Sequence, residues 1–72
     1  MAKKIVIDTD KKRGQLFKVS EAGGRFYIYH VAPGVFFNNQ KTIGESKNLQ
    51  DAIEIIKSSV DGSVRNVKIE DW

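Results

Sequence analysis

The 72-residue chain has no cysteine, one histidine and one proline. Without cysteine there is neither a disulfide nor a thiolate metal site, and a lone histidine does not make an ordinary zinc centre. Stability must come from a hydrophobic core, which at this size contributes only about a few kcal/mol net, so that a second copy would help. No apolar run approaches the length that spans a bilayer. Met1-Ala2-Lys3-Lys4 is not followed by the long apolar segment of a signal peptide. The expected compartment is the cytoplasm, with no membrane contact. Scarce proline and the lack of low-complexity sequence predict order nearly throughout, in one small domain over residues 1–72.

Catalytic groupings are missing too. His30 has no Ser-His-Asp or Cys-His constellation around it, and it reads as a half-buried histidine rather than a general base. The glycines at 23, 24, 34, 44 and 62 do not form a phosphate cradle; each sits where a turn or cap wants it. Asp8, Asp10, Asp61, Glu70 and Asp71 fall near strand ends. Asp8 and Glu70 would approach if the first and last strands pair, but salt bridges to Lys4 or Lys68 are the better expectation. A chain this short has little with which to preorganise a transition state. No enzyme, cofactor or metal is expected.

The charge that is present is uneven. Residues 1–36 carry seven Lys/Arg and three Asp/Glu, and residues 37–72 carry five and six. The first half is therefore +4 and the second −1, which fits either a basic surface for a polyanion or an ordinary solvated face.

Periodicity gives the elements. Leu49, Ala52, Ile53, Ile56 and Val60 line one face of a helix within Asn48–Gly62. Asn48 is the expected N-cap, with Ser46 competing, Asp51 favours the N-terminus, and Gly62 is the expected stop. Strands are expected at 3–9, 15–20, 25–32 and 64–70. Glu21-Ala22-Gly23-Gly24 reads as a hairpin connection, Pro33-Gly34 as a turn, and Gly44–Lys47 as the lead into the helix. Val35–Phe37 and Gln40–Ile43 are extended, as one bulged strand or a tight hairpin. The fold is α+β: a mostly antiparallel sheet of four to five strands with one α-helix on one face, in the order β-β-β-β-α-β. Its first strand pairs with the last or lies beside a partner's edge.

One helix covers one face. Parity puts Ile5, Ile7, Phe17, Val19, Phe26, Ile28, Ile43, Val67 and Ile69 beneath it. The open face collects Lys18, Arg25, Tyr27 and Tyr29, with Lys4 and Lys68. Tyrosines flanked by cations suit single-stranded nucleic acid, whose bases stack and whose phosphates pair with the cations. They equally suit ordinary cross-strand residues whose rings cover the sheet. Lys11-Lys12-Arg13, in a loop beside the sheet, either grips a phosphate backbone or is solvated.

Gly24-Arg25-Phe26-Tyr27-Ile28-Tyr29 resembles the aromatic strand of an RNA-recognition motif, a fold that needs a second helix not patterned here. Lys41-Thr42-Ile43-Gly44, leading into Leu49-Gln50-Asp51-Ala52-Ile53, resembles the three-strand-and-helix layout of plant-type AP2 and phage integrase arm-binding domains. The resemblance covers about residues 15–60 and implies a sheet that docks on DNA. The first and last strands are additions to that layout, its arginine-rich strands are missing, and no site residue carries over. The expected function is nucleic-acid binding through the open face, using Lys11, Lys12, Arg13, Lys18, Arg25, Tyr27, Tyr29 and Lys68. The alternative is a protein-interaction or homodimerisation domain using that face or an edge strand.

Overall fold

Alternating side chains put half of each strand against a core, and the chain closes that core with one helix. The computed structural model describes residues 2–32 and 39–72. Along the chain run β1 (Ala2–Thr9), β2 (Gln15–Ala22), β3 (Arg25–Ala32), β4 (Asn39–Ser46), α1 (Leu49–Ser59) and β5 (Val64–Asp71). They form a five-stranded sheet in the order β4-β3-β2-β1-β5, every neighbouring pair antiparallel. The first strand is therefore interior and pairs with the last. The α+β fold and its element order are as expected.

The core is the alternate set of strand residues plus the stripe of α1. Ile5, Ile7, Phe17, Val19, Ile28, Ala52 and Ile56 are essentially inaccessible, and Phe26, Ile43, Leu49, Ile53, Val60 and Val67 pack around them. Ile5 stands opposite Phe17 and Ile69, and in the neighbouring row of the same face Val19 stands opposite Ile28, so two rows of large side chains line the core side of the sheet. His30 is half-buried and packs edge-on against Phe17, ring centroids 5.2 Å apart. The helix rests mainly on β4, β3 and β2. Strand β5 lies beyond it.

Asn48 wins the cap. Its side-chain oxygen accepts the Asp51 N–H at 2.8 Å, and its amide reaches back to the Asp51 carboxylate. Ser46, the competitor, donates instead to the Asn48 carbonyl.

β1 begins at Ala2 and β5 runs to Asp71, one residue beyond the expected bounds, and other boundaries and turns differ further. Glu21 and Ala22 belong to β2, and the hairpin turn is Gly23-Gly24 alone, both at positive φ as a two-residue primed turn requires. Gly44 is inside β4 rather than leading to the helix; a Cβ there would sit 3.5 Å from Ile55 of α1. Residues 39–46 are one strand, with a bulge that leaves Ile43 without a direct partner on β3. Gly62 does not stop the helix. The backbone turns extended at Val60, and Gly62 serves the following turn at φ +96°. The expected turn at Pro33-Gly34 and extended stretch at Val35–Phe37 lie outside the described residues.

Candidate nucleic-acid interface

Register fixes the open face row by row. Lys4 stands opposite Lys18, and Lys18 opposite Tyr29. Beside them Ala2 stands opposite Ser20, and Ser20 opposite Tyr27. The Trp72 N–H donates to the Ala2 carbonyl, which extends this row onto the end of β5. The small side chains of Ala2 and Ser20 thus separate Trp72 from Tyr27. With neighbouring strands about 4.8 Å apart, β5 and β3 stand about 14 Å from each other. The result is one row with an aromatic residue at each end, beside a row that carries the two lysines. Tyr27, Tyr29, Lys4 and Lys18 are all half-buried, and Trp72 is 49% exposed.

Lys4 and Lys18 are like charges directly opposite each other, an arrangement a sheet does not favour unless something answers it. Lys4 has Glu70 at 3.9 Å. The Lys18 ammonium lies 5.0 Å from the centre of the Trp72 ring, within cation–π range. No carboxylate lies within ion-pair distance of Lys18 among the described residues.

The remaining candidates divide. Lys68 is on the open face, but its ammonium is 3.0 Å from Glu70. Arg25 begins β3 with a guanidinium nitrogen 3.7 Å from Glu45. The Lys68 ammonium beside it, by hydrogen bond and by charge, holds the Glu70 carboxyl below the ordinary carboxylate value, with Lys4 adding a smaller pull. Lys11, Lys12 and Arg13 are exposed in the β1–β2 loop. That loop is at the end of the sheet away from Arg25: Gly14 lies four residues before Lys18, about 14 Å along an extended chain. The expected set is therefore a central cluster of Lys18, Tyr27 and Tyr29, with two acid-paired cations and a separate basic loop.

The rest of this face is less basic than its cations alone suggest. Asp8, Glu45 and Glu70 interleave with them. An apolar row, Val6–Leu16–Val31, crosses the middle strands, and Val31 is only 3% exposed. Asp8 and Glu70 do not approach each other: Asp8 stands opposite Asn66 and Glu70 opposite Lys4, four residues further along β1. Asp8 instead accepts the Gly14 N–H, and Asp10 accepts the Ser63 N–H. Both carboxylates are committed to turns. No cluster of His, Cys, Asp or Glu suited to a metal ion occurs among the described residues.

Trp72 was not among the residues singled out from sequence. Its even parity with Lys68 and Glu70 is the signal that places it on the open side once β5 runs to Asp71. No helix among the described residues is long and apolar enough to cross a membrane. No family model, curated protein or solved structure matches the chain.

Proposed function

We propose that the open face binds single-stranded nucleic acid. The observation that carries the reading is the pairing of two rows: Lys4–Lys18–Tyr29, and the row from Trp72 to Tyr27, aromatic at each end. Bases have flat faces that stack on tyrosine and tryptophan whatever the sequence, and the two lysines meet phosphates. A duplex hides its base faces, so single strands are the preferred ligand. The basic loop Lys11–Arg13 lengthens the track for a strand that runs along β2, adding backbone contacts without base preference.

Fluorescence anisotropy with short single-stranded DNA and RNA and with a duplex of equal length tests this. Single strands bind more tightly than duplex. Replacing Tyr27 and Tyr29 by Ala weakens single-strand binding by about 1–3 kcal/mol for each ring that stacks on a base. Affinity falls with salt, with a logarithmic slope of about 0.7 for every phosphate contacted. Absence of binding at low salt, or binding that the tyrosine substitutions leave unchanged, contradicts the proposal.

A further inference from the structure

The sheet has two edges, and they are built differently. β4 is polar and exposed from Asn39 to Thr42 and is bent by its bulge at Ile43, both devices that discourage edge pairing. β5 has no bulge over its second half, where its charged residues, Lys68, Glu70 and Asp71, are of both signs. It pairs with β1 without a break from Asn66 to Asp71, and nothing lies along its outer side among the described residues. On the helix side Val67 is half-buried and Ile69 is 46% exposed, because α1 rests on the other strands. Successive residues of a strand direct their N–H and C=O groups to alternate sides. The Trp72 N–H points to Ala2, so the backbone groups of Asp71, Ile69 and Val67 point outward with nothing to bond.

We propose that two copies of this chain join through β5, antiparallel, about a two-fold axis perpendicular to the sheet at Ile69. Opposite residues in an antiparallel pair share a face. In this register Ile69 meets Ile69 of the second copy on the helix side. On the open side Lys68 meets Glu70 of the second copy, and Glu70 meets its Lys68. The outward backbone groups of Val67, Ile69 and Asp71 find partners. Asp71, which comes opposite Val67, keeps its charge answered by Lys3 at 2.6 Å. An axis at Lys68 would set Arg65 against an Asp71 that Lys3 already answers, and the two Lys68 ammonium groups against each other. An axis at Val67 would set Arg65 against Ile69 and leave Lys68 facing Asn66. Charge complementarity therefore selects the axis at Ile69. A seam of one strand buries less than the roughly 1,200–2,000 Å² of a standard stable interface, so the dimer is concentration-dependent. It places both helices on one side and both open faces on the other. The inference stands independently of what the open face binds.

Sedimentation velocity on the whole chain, over increasing concentration, tests it. The unmodified chain moves from monomer to dimer. Lys68→Glu alone and Glu70→Lys alone each put like charges across the seam and weaken self-association at least tenfold. A one-to-one mixture of the two variants restores association, because every cross-seam pair then has opposite signs. Hydrogen exchange on the unmodified chain gives a second reading without mutation: the Val67, Ile69 and Asp71 amides gain protection as concentration rises. A chain that stays monomeric up to about 1 mM overturns the proposal. So do variants that self-associate like the parent, or a mixture no more associated than its components.

Discussion

At the residue scale, one polar cluster does what no apolar contact could. Thr9 and Gln15 are the buried polar side chains of the described structure, and they meet. The Thr9 hydroxyl donates to the Asp61 carbonyl and accepts the Lys12 N–H at 3.0 Å. The Gln15 carboxamide accepts the Asp61 N–H at 3.1 Å and donates to the Asp61 carbonyl at 3.2 Å. This ties the β1–β2 loop, with its Lys11–Arg13 run, to the turn that launches β5. Gly62 closes the cluster from above. An added Cβ would fall 2.5 Å from an Asp10 carboxylate oxygen and 2.8 Å from the Thr9 hydroxyl, at a φ that L-residues avoid. Thr9→Val leaves buried partners unsatisfied and should cost about 1–3 kcal/mol in urea unfolding. Gly62→Ala should cost more than about 1 kcal/mol. Losses within experimental error would mean that the cluster is decoration on a β5 held by its ladder alone.

At the element scale, β5 carries the clearest acid sensitivity. Lys3, by hydrogen bond and by charge, holds the Asp71 carboxyl below its ordinary 3.8. Lys68 does the same first for Glu70, whose ordinary value is 4.5. Both carboxyls bind protons less readily in the folded chain than in the unfolded one. Their contribution to stability is therefore full above the ordinary values and is lost as pH falls through the lowered ones. Both groups are exposed, so the effect on stability is small. Carboxyl NMR titration should place both midpoints below the ordinary values, and unshifted midpoints would dissolve these ion pairs.

The elements differ in how openly the chain announces them. Ile5 and Ile7, or Phe26 and Ile28, sit two apart and declare their face, and the parity of Tyr27 and Tyr29 follows from Ile28 being buried beneath the helix. Asn48 and Asp51 announce the cap by a three-residue spacing that acts locally. Glu21 and Ala22 give no such signal, because an exposed hairpin end carries no apolar rhythm. Gly44 reads as a turn residue, yet it lies inside β4, within ordinary contact distance of Ile55 eleven residues later. The Thr9–Gln15–Asp61 cluster joins residues 46 and 52 apart in sequence, beyond any local pattern. The candidate site was legible in the same uneven way. Lys18, Tyr27 and Tyr29 come together as parity requires. The acid beside Lys68 follows from alternation, since Glu70 lies two residues on along the same face, whereas the acid beside Arg25 depends on strand order, which alternation does not encode.

At the scale of the whole molecule, the protein has two unlike sides. The helix occupies one face of a five-stranded sheet, and Tyr27, Tyr29, Lys18 and Trp72 gather on the other. A two-fold seam at β5 would double that second side without hiding it. The most direct test of the central claim is an amide chemical-shift titration with a short single-stranded oligonucleotide at low salt. The largest shifts should fall at Lys4, Lys18, Ser20, Tyr27, Tyr29 and Trp72, with residues 49–59 of the helix unmoved. Shifts confined to the helix, or none anywhere, would contradict it.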